Sequence, residues 1–194
     1  MEKSVTLKDG HPIIIRGLRE DDADAVFAFF ARLPEEDRKY LRVDVTKYES
    51  LTHRYGDVKN NRACRLVAMD EDEIVADGAL ELKGHGWGEN VGEIRLIVAR
   101  PFQRLGLGSL VARELYFLAA EHKVERIVAR LMKPQIGAHR IMNRLGFQEE
   151  FCIPNQIKDQ GGAWQDLIIM RCNLEDMWRE MEGVFDDSDW RRHR

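Results

Sequence analysis

The sequence predicts one mixed α/β domain, and three observations carry that prediction. Val5, Leu7, Ile13 and Ile15 alternate around Asp9-Gly10, a hairpin signature. Val91 to Ala99 is a long, nearly continuous apolar run that passes through a glycine-containing turn into a helical pattern from Ser109 to His122. After that helix, strand and helix patterns continue to alternate, and no internal repeat, low-complexity run or linker interrupts them.

The elements follow in order. After the hairpin, Arg19-Glu20-Asp21-Asp22 opens a helix whose first turn is acidic and whose apolar face is Val26, Phe27, Phe30 and Leu33. Pro34 ends it and begins a second short helix with Glu35, Glu36 and Asp37 in its first turn. Residues 43–61 are polar, with Tyr48, Leu51 and Tyr55 at helical spacing. Strands are expected over 65–69 and 74–82, separated by Asp70-Glu71-Asp72, and Gly84, Gly86 and Gly88 form a loop around Trp87. The 91–99 strand is apolar enough to be buried on both faces. A strand at 127–131, a helix at 135–145 stopped by Gly146, and strands at 147–153 and 164–172 complete the domain. The domain is expected to span 1–172. Residues 173–194 form a separate tail: Leu174, Met177, Trp178 and Met181 recur at helical spacing, and 186–194 is a charged end.

Bulk composition narrows the class of function. A formal net charge of -4 and a 44% apolar share fit a globular protein and argue against general nucleic-acid binding. Cys64, Cys152 and Cys172 lack metal-ligand spacing, so no metal site is expected and the thiols read as free. No run approaches a membrane span and the N-terminus has no apolar signal core, which makes a cytoplasmic location the expectation.

The most informative stretch is the junction after the apolar strand. A strand, a glycine turn and a helix direct unpaired N–H groups and the positive end of a helix dipole at one point, a place for phosphate or pyrophosphate. A lysine-dependent phosphate loop does not fit, because Gly108 precedes Ser109 with no lysine. A dinucleotide fingerprint fits poorly, since Val111 stands at the third glycine position and Arg130 falls where an acid is needed. A plain turn without a ligand is the remaining alternative.

Pro101, Gln103-Arg104, Gly106, Gly108 and the helix after them resemble the GNAT superfamily of acyl-CoA-dependent N-acyltransferases. Lys133-Pro134-Gln135 followed by Ile141 to Phe147, ending Leu-Gly-Phe, is similar to a second signature of that family. The start, Asp9-Gly10, Ile15-Arg16 and Glu20 to Ala23, is similar to the bacterial protein-lysine acetyltransferase type. The resemblance covers about residues 4–172. It implies a mostly antiparallel central sheet with two splayed parallel strands and helices on both faces. It also implies acetyl-CoA as cosubstrate, without a metal, lying where the 91–99 and 127–131 strands part. Leu96, Ile97 and Val98 would pair with the pantetheine arm. Gln103, Arg104, Leu105, Gly106, Leu107, Gly108 and Ser109 would hold the pyrophosphate, and Gln135 would supply an amide.

The implied reaction is direct acetyl transfer to a primary amine within a ternary complex, with Glu93 as the base that deprotonates it. Glu93 has a structural alternative, pairing with Arg95 two residues along the same strand face, and Glu81 on the neighbouring strand is a reserve base. Met142 stands where many family members carry a proton-donating tyrosine, leaving Cys152, Tyr116 and His139 as substitutes of mainly structural character. That absence motivates an alternative function, an acyl-CoA-binding sensor with little or no catalysis. The acceptor is a small molecule or a protein lysine, for which Glu71, Asp72, Glu73, Glu89 and Glu93 offer attraction. No nucleic-acid or membrane partner is expected, and the amphipathic tail makes a homodimer a candidate assembly.

Overall fold

A computed structural model describes residues 2–45, 47, 49–84 and 86–175. The alternation around Asp9-Gly10 closes a hairpin in which β1 (Glu2–Thr6) and β2 (Pro12–Gly17) pair antiparallel, with Val5 opposite Ile13. Val5, Leu7, Ile13 and Ile15 are all buried, so the predicted apolar face is the core face. A 3₁₀ turn at Glu20–Asp22 leads into α1 (Ala23–Arg32). Its Asp22 carboxylate accepts hydrogen bonds from both Arg16 guanidinium nitrogens at 2.7 Å and from the Arg19 backbone N–H at 2.7 Å. Arg16 and Asp22 are 8% and 6% exposed. The Arg16 guanidinium, with Arg19's N–H, holds the Asp22 carboxyl below its usual range against the opposing effect of burial.

Two further helices, α2 (Glu35–Arg38) and α3 (Glu49–Lys59), precede the strand-rich part. There follow β3 (Ala63–Asp70), β4 (Glu73–Leu82), β5 (Val91–Val98), α4 (Leu107–Glu121), β6 (Arg126–Met132), α5 (Ile136–Arg144), β7 (Gln148–Lys158) and β8 (Trp164–Asn173). The strands form one sheet in the order β1-β2-β3-β4-β5-β6-β8-β7. Every neighbouring pair is antiparallel except β5–β6.

Helices cover both faces. Val111, Leu115, Tyr116 and Ala119 of α4 pack with Leu80, Ile94 and Ile127 in one core layer. Val26, Phe29 and Phe30 of α1 pack with Val67, Met69 and Ile74 in the other. β5 serves both layers, through Ile94 on one side and Ile97 on the other, which explains its nearly continuous apolar sequence.

Two boundaries differ from those expected. α4 begins at Leu107 rather than Ser109, directly after the left-handed Gly106. β7 runs on to Lys158, and its pairing with β8 shifts register twice, consistent with its position at the sheet edge. Leu174 remains buried and its N–H donates to the Glu125 carbonyl at 2.9 Å, so the chain stays docked just beyond β8. The expected tail helix and charged end at 176–194 lie outside the described residues. Among the described residues no helix is long and apolar enough to cross a membrane.

Candidate active site

The parallel ladder between β5 and β6 is short. It pairs Val91 with Arg126, Gly92 with Ile127 and Glu93 with Val128, and stops there. β5 continues to Val98 alongside β4, while β6 continues to Met132 alongside β8. The strands therefore part immediately after Glu93, and Leu96, Ile97 and Val98, all half-buried, lie along the unzipped stretch. An open strand edge in the middle of a sheet presents backbone groups that an extended ligand can pair with.

At the far end of that edge lies the glycine turn. Gly106 takes the left-handed conformation, φ +92°, and is the residue preceding the first turn of α4. A glycine there has no side chain to cap the helix, and no cap hydrogen bond forms. Leu110 is the first amide to turn back on the chain, donating to the Gly106 carbonyl at 3.1 Å; the amides of Leu107, Gly108 and Ser109 precede it in the helix's first turn. Gly108 has neither a positive φ nor a crowded Cβ position, since its nearest neighbours there would be Leu96, Ile141 and Val98 at 3.6–3.7 Å. Packing therefore does not demand glycine at 108.

The remaining predicted donor-side residues fall into two groups. Arg104 is exposed in the turn, at φ +66°, and Leu105 is half-buried beside it. Gln103 turns its amide inward, Nε2 donating to the Val98 carbonyl at 2.9 Å, and so fastens the loop to the end of β5. Gln135 is also folded inward: its Oε1 accepts the Met132 N–H at 2.7 Å and shapes the turn before α5. Lys8 was not singled out from the sequence. Its backbone N–H donates to the Leu105 carbonyl at 3.1 Å, and its side-chain carbons reach 3.7 Å from the position a Cβ would take on Gly106. A hairpin nearly a hundred residues upstream thus delivers a cation to the turn. Arg100, by contrast, is committed to Asp37 at 2.8 Å and Glu36 at 2.7 Å.

The opposite side of β5 is built from side chains. Glu93 is 8% exposed and is held between Arg42, which contacts Oε1, and Arg130, whose Nη1 lies 2.5 Å from Oε2. The expected Glu93–Arg95 pair does not form. Arg95 instead donates to Glu81 at 2.6 Å, so the reserve carboxylate is also engaged. Beyond Arg42 a narrow cleft opens, lined by Phe30, Leu41, Val43, Arg54, Arg65, Asp77, Arg95, Leu96 and Ile97. Arg54 lies over the Phe30 ring, 4.3 Å from its centroid, and pairs with Asp77 at 3.1 Å. Arg65 reaches the same Asp77 oxygen at 3.5 Å. Burial pushes Arg42 down to about 10, helped by Arg95 and Arg130, and lowers Arg54 and Arg95 as well.

The segment carrying Arg42 is clamped from across the molecule. In the β7–β8 turn, the Gln160 side-chain amide donates to the Leu41 and Val43 carbonyls at 2.9 and 2.7 Å, and its backbone N–H donates to Lys39 at 3.0 Å. Of the acids expected to attract an acceptor, Glu71 and Asp72 are exposed in the β3–β4 turn and Glu73 pairs with Arg32. Only Glu93 adjoins the cleft.

The residues expected to substitute for the missing tyrosine are placed elsewhere or committed to other partners. Met142 is buried in the α4-side core. The Tyr116 hydroxyl donates to the Leu145 carbonyl at 3.0 Å, and burial pushes its pKa up. His139 pairs with Glu149 at 2.9 Å, and Cys152 is an exposed free thiol on β7. Among the described residues no cluster of side chains suits a metal ion.

The sequence model described as the Acetyltransferase (GNAT) family matches residues 26–147. No curated protein matches the chain. Among solved structures, the GNAT domain of Streptomyces lividans PAT is 17% identical, with a TM-score of 0.74 over 89% of this chain and 96% of that one. The yncA protein of Salmonella typhimurium, solved with its cofactor acetyl-CoA, is 17% identical with a TM-score of 0.70 over 84% and 94%. Spermidine N-acetyltransferase from Vibrio cholerae, in complex with CoA and spermine, is 15% identical with a TM-score of 0.72 over 86% and 98%. At these identities the likeness is one of fold.

Proposed function

The chain belongs to the GNAT acetyltransferase family and is an acyltransferase; on that premise we propose that it transfers an acetyl group from acetyl-CoA to a primary amine by direct attack. The observation that carries this reading is the continuity of one edge: the β5–β6 ladder ends at Glu93, and five residues further on the strand meets an uncapped helix end behind Gly106.

Acetyl-CoA supplies an acetyl thioester. The amides of Leu107, Gly108 and Ser109 and the cation of Lys8 hold its pyrophosphate, with Arg104 nearby. The open edge over Leu96, Ile97 and Val98 takes the pantetheine arm as an added strand, and an N–H there polarises the thioester carbonyl. Glu93 accepts the proton of the amine, directly or through water. The new N–C bond forms as the C–S bond breaks, and the thiolate leaves to be protonated by solvent, since the Met142 side chain has no proton to give.

Glu93→Gln is expected to slow turnover about 10²- to 10³-fold while leaving the acetyl-CoA Kd within about two-fold. The measurements are CoA thiol release with an amine panel and titration calorimetry with acetyl-CoA. Unimpaired turnover in the variant removes Glu93 from the chemistry. A second reading, an acyl-CoA sensor with little catalysis, is favoured by one observation: both carboxylate oxygens of Glu93 are engaged by guanidinium groups, Arg42 on one and Arg130 on the other. Tight binding without turnover across the panel selects that reading.

A further inference from the structure

The cleft beyond Arg42 has a composition that neither acetyl transfer nor folding requires. Five guanidinium groups, Arg42, Arg54, Arg65, Arg95 and Arg130, face three carboxylates, Asp77, Glu81 and Glu93. Asp57, a further acid whose charge acts on Arg95, is bound to Arg62 at 3.0 Å. Among the described residues the cluster therefore carries two more positive than negative side chains, in a protein whose formal net charge is -4.

Arg42 and Arg130 stand at the exposed mouth of the cluster and Arg95 is half-buried, while two of the five lie deep. The side chains of Arg65 and Arg54 are 5% and 13% exposed. Nε of Arg65 and Nε of Arg95 are buried with no hydrogen-bond partner among the described residues. Loss of water around them, together with the neighbouring guanidinium charges, depresses Arg42, Arg54 and Arg95 together. A purely structural ion-pair network closes on itself, as Arg16 and Asp22 do. This one is left open on the side where Leu96 and Ile97 of the donor edge form the cleft wall.

We propose that the acceptor is a small amine that also carries an oxyanion, carboxylate or phosphate, gripped by Arg42, Arg95 and Arg54 while its amino group faces Glu93. The proposal rests on the acetyltransferase reading above. A planar guanidinium fork matches an oxyanion in two hydrogen bonds, and a desolvated one gains most from it. The same surplus of positive charge disfavours the protonated form of the bound amine, so it assists the deprotonation that attack requires. A polyamine or a lysine side chain in a basic peptide would meet repulsion in this cleft. The cleft is narrow and lies under a segment pinned by Gln160, so it suits a small acceptor group.

The test compares matched pairs at fixed acetyl-CoA: the common L-amino acids against their decarboxylated amines, and O-phosphoethanolamine against ethanolamine, with spermidine and an uncharged lysine peptide as controls. Calorimetry on the full chain gives acceptor binding, and thiol release gives kcat/KM. The oxyanion-bearing member of at least one pair is expected to be favoured about 10- to 100-fold, and Arg42→Gln to collapse that ratio chiefly through KM. Which pair responds separates carboxylate from phosphate. Arg42 lies on a surface segment, and an unchanged Tm verifies that the variant folds. Equal or better binding of the decarboxylated amines, spermidine or the peptide overturns the proposal, as does a ratio that survives Arg42→Gln. Failure to bind acetyl-CoA overturns the earlier reading instead, and the oxyanion preference is then judged from acceptor binding alone.

Discussion

The two sides of β5 are made of different material. On the donor side, from Leu96 to Ser109, the features that matter are backbone: an unpaired edge, a left-handed glycine and the first amides of α4. On the acceptor side they are side chains, drawn from the 41–43 segment, α3 and four strands. Backbone recognises what every relative must bind, because an amide row and a helix end do not vary with side-chain identity. Side chains recognise what differs between relatives. The comparison predicts that changes on one side move donor affinity alone and changes on the other move acceptor affinity alone.

The largest effect is expected where an arginine pair is closed rather than open. Asp22→Asn leaves the Arg16 guanidinium buried without its partner and should cost about 3–5 kcal/mol of unfolding free energy while leaving the acetyl-CoA Kd unchanged. Denaturant unfolding measures it. The Asp22 carboxyl titrates lower in the folded chain than in the unfolded one, so its contribution is complete above about pH 4 and is lost as pH falls through the folded value. The variant should therefore show a flatter acid limb. If Arg42→Gln destabilises the fold as much as Asp22→Asn does, the distinction between a closed pair and an open cluster fails.

A smaller effect is expected at Gly106. Alanine there would hold a left-handed conformation at a cost of about 1–2 kcal/mol, and the strain should appear in both Tm and the acetyl-CoA Kd, with acceptor KM unmoved. The smallest is Lys8→Ala, for which a loss of about 0.5–1 kcal/mol in acetyl-CoA binding is expected, fading as salt is raised. An Lys8→Ala effect on acceptor selectivity would break the division between the two sides.

This division also decides what the sequence could reveal. The donor side occupies one short stretch, so its strand, turn and helix are read together from Ile94 to Gly108. Lys8 escapes because only the folded hairpin brings it beside Leu105. The acceptor side escapes almost entirely, since its arginines are scattered from 42 to 130 and the polar stretch at 43–61 has little periodicity. Glu93 was legible as a carboxylate in an apolar strand, but its partners were not. In register Glu81 lies opposite Glu93, and Val128 lies on its other side. Both ion pairs are therefore diagonal contacts made by long arginine side chains, Arg95 to Glu81 and Arg130 to Glu93, and such a register is set only by the folded sheet.

The point at which β5 and β6 rejoin has a consequence for the acyl group itself. From Val98 back to Glu93 the unzipped edge is five residues long, about 17 Å at strand rise, and beyond it Gly92 and Val91 are already paired with Ile127 and Arg126. The vertex is a hard stop: a thioester anchored at the glycine turn meets re-formed sheet at a fixed length. On the acetyl-transfer reading proposed above, the vertex is expected to act as a ruler that favours a two-carbon acyl chain over a long one, which a comparison of acetyl-CoA with longer acyl-CoA donors measures.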